Sequence, residues 1–148
     1  MTTIAYNHES KQISCDSRVT RDNVIMSDSC IKWHIVDGVV FFMAGAPYDD
    51  ELFIRMYFGA KSSVIPEVTA LVIDGGNVYR CSVNEDILMW KDERHNNDVI
   101  GSGFCFALSA MDFGKSSHEA VQYAITRDSC SGGKVHTYDI KLKQFIGG

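Results

Sequence analysis

This chain of 148 residues has only two prolines, and its longest apolar stretch is VVFFMAGA (39–46). That stretch is far shorter than the roughly 20 residues a helix needs to cross a bilayer. Positive charge is scarce: 14 Lys and Arg stand against 19 Asp and Glu, for a net charge of −5. No basic run is present, so neither nucleic acid nor an anionic membrane is an expected partner. The five cysteines (15, 30, 81, 105 and 130) are odd in number and never in CxxC spacing. They read as reduced thiols of a cytosolic protein, not as a disulfide framework. The five histidines are dispersed without HxH or HxxxH pairs, so no metal and no cofactor is expected. No basic n-region precedes an apolar h-region, which predicts no signal peptide and a cytoplasmic location.

What is present is a globular composition, 45% hydrophobic and 22% charged, with no repeat, linker or low-complexity run. It predicts a single domain over 1–148 with one sizeable core. TIAYN (3–7) and QISCD (12–16) read as a hairpin around a polar turn, and NVIM (23–26) as a further short strand. IKWHIV (31–36) and VVFFMAG (39–45) flank Asp37-Gly38, and TALVID and NVYRCS flank Gly75-Gly76; both are strong hairpin signals. Acidic DDE followed by Leu52, Phe53, Met56 and Tyr57 at helical spacing predicts a helix over about 48–59. ILMWK reads as a short strand before KDERHNND, an exposed polar run. Helices are expected over FCFALSAMD and HEAVQYAITRD, the second capped by Ser116 or Ser117, before two final strands in KVHTYDIK and QFIG. Hairpins in blocks and helices in separate blocks imply an α+β class with antiparallel sheets. Two sheets covered by helices would bury the pattern, and so would a single sheet with helices on one side.

Several polar groups stand where a core hairpin does not need them. Asp16 ends the second strand, and Lys32 interrupts the apolar run CIKWHIV. Period-2 alternation places Cys30, Lys32 and His34 opposite Ile31, Trp33 and Ile35, so the lysine face is either solvated surface or a site wall. Gly45 closes a strand, either as an ordinary turn or where a ligand nears the backbone. GSG (101–103) offers N–H groups between a strand and a helix. RDSCSGG (127–133) reads as a glycine helix stop with a local Ser/Asp turn, or as a cluster with chemistry.

Taken in order, these segments resemble proteasome β-subunits and the bacterial HslV peptidase, which are N-terminal-nucleophile (Ntn) hydrolases. MTTIAYN is similar to the mature threonine start of that family. In CDSRVTRDNVIMSDSCIKW, Asp16, Arg18, Thr20, Asn23, Met26 and Lys32 fall in family register. MAGAPYD resembles the oxyanion strand and helix start, GSG the serine motif before the third family helix, and RDSCSGG the late Asp-x-x-Ser-Gly-Gly motif. The resemblance implies a four-layer α/β/β/α sandwich of two antiparallel sheets. Because residues 49–68 hold one short helix where the family has two long ones, the first helical layer is expected to be reduced. That shortness argues against family-type docking to an α-ring or an ATPase unfoldase.

The implied chemistry is that of a threonine peptidase acting on polypeptides inside a homo-oligomer, a ring or larger particle. Thr2 would be the nucleophile once Met1 is removed, and its freed α-amine, with an ordinary pKa of about 7.7–8.0, the base. By the same resemblance Lys32 favours the alkoxide, Asp16 anchors the lysine, and the Gly45 N–H faces the oxyanion. Ser102, Asp128 and Ser131 hold the amine and its water. Val19, Thr20, Cys30, His34, Met43 and Pro47 would line the pocket beside the scissile bond, implying an apolar guest with His34 as the polar exception. No propeptide is expected, so activation rests on Met1. Two other readings keep the fold: an amidase or acylase on small molecules, and a non-catalytic assembly subunit.

Overall fold

The computed structural model describes residues 2–147. β1 (Ile4–Asn7), β2 (Gln12–Cys15), β10 (Asp98–Ile100), β11 (His136–Asp139) and β12 (Gln144–Ile146) form one antiparallel sheet in the order β10-β1-β2-β11-β12. A second sheet runs β5-β6-β7-β8-β9, from β5 (Trp33–Val36), β6 (Val39–Gly45), β7 (Val68–Asp74), β8 (Asn77–Val83) and β9 (Met89–Glu93). β3 (Val19–Arg21) and β4 (Val24–Ser27) make a two-stranded ribbon. The helices are α1 (Asp50–Tyr57), α2 (Phe104–Asp112) and α3 (Ser117–Ile125), with one turn of 3₁₀ helix at Pro47–Asp49. The class is mixed α+β, and the second of the two sheet arrangements anticipated above, a single sheet, is not the one adopted.

The tight turns follow from their residues. Asp37 and Gly38 have φ of 51° and 77°, and Gly75 and Gly76 have 60° and 81°. Positive φ at both central positions is what a two-residue hairpin turn matched to strand twist requires. Asp22 and Asn23 do the same at 49° and 65°, which makes β3 and β4 a hairpin. That first strand, VTR, was not anticipated, because three residues with little apolar pattern carry no strand signal. α3 opens on a capping box: Ser116 Oγ accepts from the Glu119 N–H while the Glu119 side chain accepts from the Ser116 N–H.

The core lies in three sets. Ile4, Tyr6 and Ile13 of the first sheet cluster with Val40, Phe42 and Leu71 of the second. Phe41, Met43, Ala70 and Val72 pack with Phe53 and Met56 of α1. Ala5 and Val99 pack with Ala107 and Met111 of α2 and Ala120, Val121 and Ala124 of α3. Alternate residues of β6 therefore bury in two different sets, which is why VVFFMAG is apolar without alternation. Each large side chain buried this way contributes about 1.5–3 kcal/mol.

Three expectations need correction. β9 runs two residues into the polar run after Lys91, because Asp92 and Glu93 continue the pairing with Arg80 and Tyr79. β5 starts at Trp33, so residues 30–32 precede the strand and escape its alternation. Ile31, outside the strand, is 62% exposed and Ile35, within it, 57%, while Lys32 is the buried residue at 6%.

Candidate active site

β1 and β2 pair with Ile4 opposite Cys15, so Thr2, Thr3 and Asp16 emerge together at one end of that hairpin. The Asp16 N–H donates to the Thr3 carbonyl at 3.2 Å, and the Thr3 N–H returns a bond to Asp16 Oδ1 at 3.0 Å. Asp16 is fully buried, and its Oδ2 accepts from the Gly132 N–H at 3.0 Å and the Arg18 N–H at 3.3 Å. Lys32 enters this cradle from the segment before β5. Its Nζ donates to Asp16 Oδ1 at 2.8 Å and to Thr2 Oγ1 at 2.8 Å. A buried ammonium this close to a hydroxyl favours loss of the hydroxyl proton. Breaking such a buried pair on one side costs about 3–5 kcal/mol.

A second network meets Thr2 from the other side. The Thr2 backbone nitrogen donates to Ser102 Oγ at 3.3 Å, and Ser102 Oγ donates to Asp128 Oδ2 at 2.6 Å. Ser131 Oγ donates to the same oxygen at 2.7 Å and lies 2.7 Å from Thr3 Oγ1. Burial pushes the Asp128 carboxyl up, but the bonds from Ser102, Ser131 and the Cys130 N–H outweigh it and hold it below the usual carboxylate range. Thr3 carries no chemistry in the sequence reading; only its contact with Ser131 reveals it.

The glycines of GSG serve proximity. A Cβ on Gly101, at φ +98°, would collide with the Thr2 carbonyl, and one on Gly103 with Thr3 Oγ1. The Gly103 N–H bonds the Thr2 carbonyl at 3.4 Å, so it holds protein backbone rather than an external anion. Gly45 sits at φ +127°, where a Cβ would strike the Glu67 carbonyl. Only glycine fits there.

Thr2, Lys32 and Gly45 share a cleft of about 320 Å³. Val19, Thr20, Cys30, Met43 and Pro47 line it as well. His34 is not among its lining residues; it stands half exposed with Nε2 3.5 Å from Asp50 Oδ2. The cleft also takes in Asp22, Asn23, Ile31, Asp50 and Cys130, which sequence reasoning did not single out for it. In the sequence Asp22 carries no signal of its own, Asn23 reads as the start of a short strand and falls in the register of the resemblance, and Asp50 reads only as a first-turn acid of a helix. Behind the pair, burial pushes the Cys15 thiol up to about 12. Among the described residues no group of three or more His, Cys, Asp or Glu is arranged to hold a metal ion.

No family model matches the sequence, and no curated protein matches it in sequence. Solved structures do match it in shape. BPH of Thiobacillus denitrificans in complex with epoxomicin superposes with a TM-score of 0.70 at 13% identity, over 93% of this chain and 97% of that one. BPH of Thiobacillus denitrificans also matches in a second structure, with a TM-score of 0.69 at 13% identity, over 93% and 96%. At that identity the likeness is one of fold: the chain has the α+β architecture of those structures along nearly its whole length.

Proposed function

We propose that the chain is a single-domain threonine peptidase of the Ntn-hydrolase class, built as a four-layer α/β/β/α sandwich with a reduced first helical layer. The observation that carries this reading is Lys32 Nζ, 2.8 Å from both Thr2 Oγ1 and Asp16 Oδ1, on the wall of an open cleft. The three apolar sets, helix on sheet, sheet on sheet and sheet on helix, support the sandwich. The likeness of fold to a protein solved with epoxomicin supports a hydrolase.

Cleavage of the bond before Thr2 frees its α-amine; Met1 itself lies outside the described residues. The neutral amine takes the proton of Thr2 Oγ1, and Lys32 stabilises the oxygen as it attacks a peptide carbonyl. The Gly45 N–H faces the resulting oxyanion; loss of such a donor typically lowers the rate about 10²–10³-fold. Collapse breaks the C–N bond, and the leaving amine takes the proton from the Thr2 ammonium. Water, deprotonated by the same amine, then hydrolyses the Thr2 ester. Ser102, Asp128 and Ser131 hold that amine in place. Exposed Val24, Ile25 and Met26 on β4 and Phe113 after α2, 88% exposed, support assembly with further copies of the chain.

Intact mass after expression, with and without a peptide electrophile that reacts with N-terminal threonine, tests the reading. A Thr2 amino terminus and one adduct that disappears in Thr2→Ala are expected. A free Thr2 terminus that gains no adduct overturns the nucleophile. Light scattering on the same sample is expected to give a mass above one chain, and a monomer removes the assembly.

A further inference from the structure

The cleft beside Thr2 is apolar on one part of its wall and acidic on another. Val19, Ile31, Met43 and Pro47 supply the apolar part. Asp22 and Asp50 bring carboxylates into the same lining. The cation that shares the cleft, Lys32, is engaged with Asp16 and Thr2. Asp50 is the deeper acid: its side chain is 22% exposed, whereas Asp22 lies on an exposed turn. The ring facing Asp50 is His34, at 3.5 Å, longer than the about 3.2 Å of a good hydrogen bond. Burial raises the Asp50 carboxyl, with Asp49 adding to the effect and His34 offsetting part of it. A carboxylate desolvated more than it is compensated gains from a cation brought beside it. Long basic side chains suit such a wall, since their methylene stems cover apolar surface while the charged head reaches a polar group.

We infer that Asp50 selects a guanidinium or ammonium side chain on the residue whose carbonyl Thr2 attacks. The inference rests on the reading of Thr2 as nucleophile, and it replaces the apolar guest expected from the sequence by a basic one. The stem of that side chain lies against Met43 and Val19, and its head meets the Asp50 carboxylate.

The test uses three peptide electrophiles that differ only in the side chain next to the reactive group: Arg, Leu or Glu. The Arg reagent is expected to label Thr2 about tenfold or more faster than the Leu reagent, the scale of one charge-assisted hydrogen bond. Asp50→Asn, nearly isosteric, is expected to bring the Arg-to-Leu ratio toward one, and Asp50→Glu to restore most of it. Leu labelling as fast as Arg in the unchanged protein, or a ratio that survives in Asp50→Asn, overturns the assignment. If none of the reagents labels Thr2, the nucleophile reading has failed, and binding then decides only whether Asp50 makes the cleft select a basic side chain. Calorimetric titration of Thr2→Ala with the matching peptide amides is expected to favour Arg, with the preference lost when Asp50→Asn is added. Equal binding, or none, overturns it.

Discussion

Lys32 shows how far a residue's surroundings can depart from its local pattern. Its neighbours Ile31 and Trp33 suggest a strand with a polar face, yet the lysine is buried and the isoleucine exposed. An ammonium is buried here because Asp16 and Thr2 accept from it and Asp16 is itself anchored by backbone N–H groups. Asp128 is held in the same manner by two hydroxyls and a backbone N–H. Its folded carboxyl lies below its unfolded value, so it contributes stability above the ordinary carboxylate range, lost as pH falls through the folded value. Below about pH 4 the unchanged protein is therefore expected to lose thermal stability with acid more steeply than Asp128→Asn. Parallel acid limbs in melting curves taken against pH would reject that role.

At the scale of elements, the turn and cap residues carry most of what is legible. Asp37-Gly38 and Gly75-Gly76 announce their hairpins because few other pairs adopt positive φ twice. Ser116 announces the start of α3 as one of two candidate caps, and its reciprocal bonds with Glu119 complete the box. Ser116→Ala removes the acceptor for the Glu119 N–H and is expected to cost about 1 kcal/mol. A denaturation midpoint unmoved by that change would show the cap to be idle. β3 and the last residues of β9 were less visible, since their pairing depends on the strand beside them rather than on their own polar sequences.

At the scale of the whole molecule, the thiols report on packing. Cys15 and Cys81 are fully buried, and burial pushes both thiols up to about 12. Cys105 is exposed on α2. A maleimide at neutral pH is expected to label Cys105 in the native protein and to leave Cys15 and Cys81 untouched until it is denatured. Rapid native labelling of Cys15 would contradict the packing behind the Asp16–Lys32 pair.

Periodicity, turn chemistry and charge are local, so the sequence by itself determined the α+β class, the hairpin turns at Asp37-Gly38 and Gly75-Gly76, the three helices and the order of the polar motifs. It also made Asp16 and Lys32 stand out as polar groups that a core hairpin does not need, whereas Ser102, Asp128 and Ser131 were singled out by the resemblance of GSG and RDSCSGG to family motifs. Which of them meet depends on contacts between residues up to 128 positions apart, and only the tertiary structure decided those. It set Ser102 against Thr2 and Asp128, joined Thr3 to Ser131, and left His34 outside the cleft lining, beside Asp50. Asp50 gained its place in the cleft in the same way, since a first-turn acid becomes a cleft wall only where its helix packs beside the strand end at Gly45.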